Sequence, residues 1–547
     1  MRRPSSGATR SHVFAPAFSH FVTLATLATF ATGAVATLAG CPAEPPALEL
    51  APPELGPLAA GDFLIQGDVA NESLVVMASD HGRLESLRRI ALSGPPSRIA
   101  PVPGQSAALV LSRYAETLDV VDLAGGDRRA LVLGAPFEAV AISDDAKEAL
   151  AYFPPGTATT VFYNDNEVAQ IDLDPGTPPA AAVTRRTLAS LGGAPIAIAL
   201  SPLVGDRRYA FVLSQEHVAV VNLDDPDMTE RSVPLVSLTT GGHRTPRAVD
   251  FAVDRTSGVD QLWALVTTQE SSSVYALEIV PATDPGTEEG APDFDVRLSQ
   301  LSGIGPGGSA ALLALADGRL ASLTTAPATG QLTLTDLATA TGQSVGLPGG
   351  VSSIRLFTAP PAGAPADAAP TLQAVAWSPG ASQFHVVDIE ALAEGSDKAF
   401  RTRSTREPFT SLLPVPGTAL FVMFHASSDK AVSVLDAATD RVTSFGRTGD
   451  VLAAELVPEL GRLFLLTGLG GRSYIVSVDL ATLHPETAEV PDAATGLAVL
   501  SGVQTVAAFS QSAEGHVVLW PAGDTRPGAT QAIPGYLLDG LFQRQEP

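Results

Sequence analysis

Eight times along this chain an apolar run ends in an acidic or amide residue, and the intervals between these endings stay within a narrow range. The endings are Asp122, Asp172, Asn222, Glu278, Asp336, Asp388, Asp436 and Asp479, in segments such as VVDL, QIDL, VVNL and SVDL, with successive spacings of 50, 50, 56, 58, 52, 48 and 43 residues. A recurrence of that length marks a stacked repeat, in which each unit buries its faces against its neighbours. Within one unit, SRIAPVP, AALVLSR, TLDVVDL and RRALVL divide residues 97–133 into four short strands. Past residue 60 no stretch sustains the period of an amphipathic helix, so the body reads as all-β. The strands are apolar on nearly every residue, as expected when both faces of a small sheet are covered. The 49 glycines and 44 prolines supply the turns between them.

One unit, KAVSVLDAATDRVTSFGRTG from Lys430, resembles the YVTN-type propeller repeat: a strand, Val-Ser-Val-Ile-Asp, an Ala/Thr-rich turn and a returning strand. The match covers one unit well and the others loosely. It implies an all-β β-propeller of about 7–10 four-stranded blades over residues 61–547 and no particular activity. Residues 62–92 read as the last three strands of a unit whose innermost strand is missing, and GYLLDGLF from Gly535 reads as an extra one. The ring is therefore expected to be closed by strands from both termini, which removes its open edges. About ten units exceed the usual ring, which leaves an expanded ring, some units that are not blades, or two rings joined near 303–308.

The amino terminus determines location. Arg2, Arg3 and Arg10 precede a stretch, Ser11–Gly40, that contains no charged residue and ends in small side chains, as cleaved export signals do. Leu38-Ala39-Gly40-Cys41 follows directly and resembles the lipobox of bacterial lipoprotein precursors; Cys41 is the only cysteine in 547 residues. The resemblance implies a signal peptide over 1–40, recognised at Leu38, Ala39 and Gly40, and acylation of Cys41, a palmitate-bearing membrane anchor. No aspartate follows the cysteine, which favours the outer over the inner membrane. Residues 42–60 hold six prolines and read, with Cys41, as a semi-extended tether.

Composition narrows the rest. Hydrophobic residues make up 45 % and charged residues 17 %, a globular balance, and the net charge of −25 repels a phosphate backbone, so no nucleic-acid partner is expected. The strand-end Asp and Asn residues read as turn formers rather than metal ligands. The segments at Asp224 and Asp284 lack the spacing of an EF-hand loop. Gly303–Gly308 formally matches G-x-G-x-x-G without the strand–helix–strand unit that a dinucleotide site needs. No catalytic residue, resident metal or cofactor is assigned.

Innermost strands line a propeller's channel, and the assignment places Arg98, Glu138, Asp250, Arg355, Glu455 and Asp539 there as candidate ligand-binding residues. His217, His385 and His516 fall on third strands and read as core or blade-face residues. Trp263, Trp377 and Trp520 are too few for the tryptophan motifs of quinone-dependent dehydrogenase propellers. The leading expectation is a non-catalytic module that binds an envelope protein or a glycan, resembling in architecture the lipoprotein propellers that assist outer-membrane assembly. The alternative is a metal-dependent hydrolase, lactonase-like, in which channel carboxylates hold a divalent cation.

Overall fold

The computed structural model describes residues 55–537 apart from 157–162, 189–192, 226, 238–240, 257, 270–273, 283–291, 302–307, 361–368, 426–430, 447–448, 491–492, 511–513 and 525–528. Leu38–Cys41, Asp284, most of the 303–308 glycine run and Asp539 lie outside the described residues. Among those that are described, eight four-stranded antiparallel sheets and one seven-stranded sheet follow one another in chain order.

The unit read from sequence at 97–133 forms the strands Arg98–Pro101, Ala107–Ser112, Thr117–Asp122 and Arg128–Val132, each paired with the next. The seven-stranded sheet is two such units sharing one long strand, Phe400–Pro414. Its first part pairs with Ala381–Asp388 and its last part with Leu420–His425, and Phe409 is partnered on both sides. Ten units result, spanning 58–91, 98–132, 139–187, 197–234, 246–301, 310–346, 353–404, 409–446, 450–490 and 496–534, numbered here as blades 1–10.

The core lies between blades. Second strands are buried almost throughout, as in Tyr209–Leu213, because one face packs on the preceding blade and the other on the following one. Phe211 and Val220 of blade 4 meet Phe251, Tyr275 and Phe294 of blade 5. Trp263 and Leu265 of blade 5 meet Leu312 and Leu320 of blade 6. Ala498, Leu500 and Leu519 of blade 10 meet Leu64, Val75 and Met77 of blade 1. Every consecutive pair is joined by such a cluster, and the last blade returns to the first. Two fused rings would instead join blade 1 to 5 and blade 6 to 10, and no cluster of the described residues does so. The fold is a ten-bladed β-propeller.

The closing device differs from the expected one. Blade 1 builds its own innermost strand, Leu58–Ala60, from residues read as the end of the tether, and its four strands come from one continuous segment. Leu55 is already buried in the first core, so the body begins before residue 61. After the last strand, Gly535–Leu537 is held to blade 10 by bonds from Gly535 N–H to Gly515 O and from Leu537 N–H to Glu514 O. Tyr536 reaches blade 1, where its buried hydroxyl donates to Gln66 Oε1 and its carbonyl accepts from Arg89. Side-chain packing between the terminal blades thus takes the place of a shared strand among the described residues. Burial holds the Tyr536 phenol well above its ordinary value, so it remains a donor.

Candidate functional site

Antiparallel order gives the ring two unlike faces. Turns between first and second and between third and fourth strands share one end, the turn face. Loops between second and third strands share the other, the loop face, with the blade-to-blade connections.

The repeating carboxylates belong to the turn face. Asp122 accepts from Ala124 and Gly125 N–H, Asp336 from Thr339 N–H, Asp388 from Ala391 N–H, Asp436 from Ala438 and Thr439 N–H, and Asp479 from Ala481 and Thr482 N–H. These bonds pin the reversal of direction that sends the chain into the outer strand, as the sequence reading expected. Glu278, one methylene longer, turns sideways to Gln261 and Arg297 instead.

An arginine from the preceding outer strand often reaches over the same turns. Arg88 donates to Ala124 O, Arg129 to Asp174 O and Thr177 O, Arg186 to Asn222 O, and Arg401 to Ala437 O and the Asp440 carboxylate. Each clamp ties one blade to the next with polar bonds added to the apolar seam. Arg401→Met should lower stability by about 1–2 kcal/mol, the usual effect of losing charge-assisted bonds at a partly exposed site. Denaturant titration checks this, and the slope of the transition should be unchanged.

Of the candidate channel residues, Arg98, Asp250, Arg355 and Glu455 lie on innermost strands, Glu138 directly before one and Asp539 outside the described residues; the five described are separated around the ring. Arg98 opens the first strand of blade 2, close enough to the Tyr152 phenol to oppose the effect of its burial. Glu138 directly precedes the first strand of blade 3 (Ala139–Ile142) and pairs with Arg113 of blade 2. Asp250 lies within Pro246–Asp254 of blade 5, opposite Leu265. Arg355, on blade 7, donates to Ile354 O at 3.0 Å, and its guanidinium lies 6.0 Å from the Trp377 ring centre. Desolvation lowers the Arg355 pKa while Asp250 opposes that shift, so these two charges sense each other across blade 6. Arg355 is open to solvent yet surrounded by enough protein to be desolvated, as a channel-wall position must be.

Glu455, on the first strand of blade 9 (Asp450–Val457), is half-buried. Burial pushes its carboxyl up to about 7, against an opposing hydrogen bond from Val499 N–H on the innermost strand of blade 10. Between the ordinary glutamate range and pH 7 the folded chain therefore keeps a proton that the unfolded chain has released. Stability should fall as pH rises through that interval and level off above it. Glu455→Gln should remove this part of the slope, gaining on the wild type at pH 8 relative to pH 5 in paired thermal melts.

Glu138, Asp250 and Glu455 thus sit on blades 3, 5 and 9, and among the described residues no group of three or more His, Cys, Asp or Glu is gathered to hold a metal. His385 is buried, bonded through Nδ1 to Thr402 Oγ1 and through Nε2 to Pro348 O; burial lowers its pKa and favours the neutral ring. His217 opens the third strand of blade 4 with its ring 6.2 Å from that of His243, and His516 opens the third strand of blade 10.

Two features escaped the sequence reading. Arg208, with a side chain only 4 % exposed, donates a hydrogen bond to Asp145 at 2.6 Å and forms an ion pair with Glu148 at 2.8 Å across the seam of blades 3 and 4. Burial alone would raise Asp145, but bonds from Ser143 and Arg208 bring it below its ordinary value. Burial raises Glu148, Arg208 opposes, and the charges of Asp224, Asp145 and Asp172 push it further up. The second feature is an open depression of about 390 Å³ lined by Pro155, Ile196, Gln215, Glu216, His243, Thr245 and Gln269. Its lining comes from loop-face segments of blades 3, 4 and 5 and, among the described residues, carries no Lys or Arg.

No family model and no curated protein matches the chain. Among solved structures, it is similar to a eukaryotic initiation factor, with 11 % identity over 87 % of this chain and 96 % of that one and a TM-score of 0.47. It is similar to the dihydro-heme d1 dehydrogenase NirN, with 12 % identity over 70 % and 73 % and a TM-score of 0.40. It is also similar to the Dos1 propeller, with 12 % identity over 73 % and 92 % and a TM-score of 0.36. Likenesses this distant carry no argument about activity.

Proposed function

We propose that this chain is an exported lipoprotein whose propeller is a rigid, non-catalytic module, held at the cell envelope through Cys41 and presenting the loop-face segments of blades 3–5 to an envelope protein or glycan. The observation that carries the reading is how the wall charges are used. They are spread over separate blades, with Glu138 tied to Arg113 and Arg355 bonded to its own strand, while the loop face offers an open polar depression. A ring built in this way suits surface recognition better than chemistry at its axis. The acidic surface favours a neutral or basic partner.

One observation favours the hydrolase alternative: Glu455 titrates near neutrality on the channel wall, where an acid–base group would be useful. Capture of partners from native envelope by the full-length chain, with and without chelator, separates the two readings. A partner retained in chelator, and retained by the Glu455→Gln variant, supports the module. Lactone or ester hydrolysis that is lost both on chelation and in Glu455→Gln would overturn it.

A further inference from the structure

The chain enters the ring from one defined side. Leu58–Ala60 pairs antiparallel with the start of Phe63–Asp68, and before it Leu55 lies against Gly67, near the far end of that second strand. Traced backward from Leu58, residues 57–55 thus run toward the loop face of blade 1, where Leu55 is the first described residue.

The exposed large apolar side chains sort by the same geometry. Val69 is 49 % exposed on the loop of blade 1 that follows Asp68. On blade 2, Tyr114 at 80 % and Val132 at 72 % share the loop-face end. A connection from blade 1 packs beside them, since a Cβ on Gly94 would meet Ala115. On blade 9, Leu452 and Leu469 are 45 % and 48 % exposed, again at the loop-face end, with Leu452 against Gly468. These five flank the loop-face position of Leu55, where the described chain begins. The remaining three, Leu203, Val259 and Leu298, are on blades 4 and 5, the first two in turn-face turns. The turn face carries the repeating aspartates, whereas the loop face of these blades carries Glu72, Glu116, Asp450, Glu489 and Glu514 interspersed with Arg113 and Arg472, the last paired with Glu489.

We propose that the loop face over blades 9, 10, 1 and 2 rests on a lipid surface, with Val69, Tyr114, Val132, Leu452 and Leu469 entering the headgroup region and the acidic turn face directed away from it. This rests on the reading of Cys41 as the lipid anchor. Thirteen residues separate Cys41 from Leu55, a reach of at most about 45 Å when fully extended. Turning the opposite face to the bilayer would require that segment to pass around the ring or through its channel. Anionic headgroups oppose the approach of the aspartate-bearing face, while amphipathic tyrosine and single aliphatic side chains are favoured at the interface.

The test uses the full-length, acylated chain with a second cysteine, Tyr114→Cys or Val259→Cys, labelled with an environment-sensitive fluorophore. Both positions are exposed, so neither substitution touches the core. In vesicles of phosphatidylethanolamine and phosphatidylglycerol carrying brominated acyl chains, the label at 114 should be quenched several-fold more than the label at 259. Equal quenching, or stronger quenching at 259, in a preparation whose mass shows the acyl chains overturns the orientation and leaves the anchor standing. A preparation that reaches the membrane fraction without acyl chains on Cys41 overturns the anchor, and the orientation with it.

Discussion

Labelled palmitate should enter the wild-type chain and be absent from a Cys41→Ser variant, and the variant should move almost completely from the membrane pellet to the soluble fraction. The effect is large because each buried methylene contributes about 0.8 kcal/mol and one acyl chain alone gives only marginal binding, so a multiply acylated cysteine separates a bound from an unbound protein. No other thiol exists to take its place. Cys41 precedes Leu55, the first described residue of the ring, by fourteen positions, so circular dichroism of the released variant should still report a β-rich fold. Equal labelling of the two chains would remove the basis for placing this protein at the envelope.

Phe409→Ala should lower stability by about 3–5 kcal/mol, the range for deleting a fully buried phenylalanine. Phe409 is inaccessible and lies in the strand that blades 7 and 8 share, partnered by Ala381 on one side and His425 on the other. Its ring centre is 6.5 Å from that of Trp377, 6.4 Å from Phe384 and 6.4 Å from His425. Truncation opens a cavity where two blades meet and removes aromatic contacts on both, so neither can close the gap alone. Denaturant midpoints compared with those of Phe357→Ala, on the same seam but on a single blade, measure the added effect of the shared position. A loss no greater than that of an exposed substitution such as Val259→Ala would contradict the packing described.

The blade pattern was legible because its causes are local. TLDVVDL became the strand Thr117–Asp122 since alternation and branched side chains fix a strand without reference to the rest of the chain. The aspartates that close such strands cap the turns that follow, a bond spanning two or three residues. Leu58–Ala60 was hidden because three residues beside Gly56 and Pro57 carry no β-branched side chain, and only pairing with Phe63–Ile65 makes them a strand. The strand joining blades 7 and 8 was hidden because FRTRSTREPFTSLLP mixes charges with two prolines; its continuity comes from partners on two blades. Arg208 meets Asp145 and Glu148 from some sixty positions away, and no spacing rule spans that distance. Of the channel residues, the positions of Arg98, Asp250, Arg355 and Glu455 on innermost strands followed from counting strands. Their separation around the ring did not, because it depends on how many blades close it.

The strand shared by blades 7 and 8 gives the ring one joint unlike the rest. Elsewhere among the described residues neighbouring blades meet through side chains and isolated bonds such as His81 N–H to Val503 O, which can shift by fractions of an ångström without breaking a continuous backbone ladder. Between blades 7 and 8 the ladder itself crosses the boundary, through Phe400–Pro414. If the bore dilates or flattens to admit a guest, the seven-stranded arc will travel as one rigid plate, and the give will be taken up by the hinges outside it.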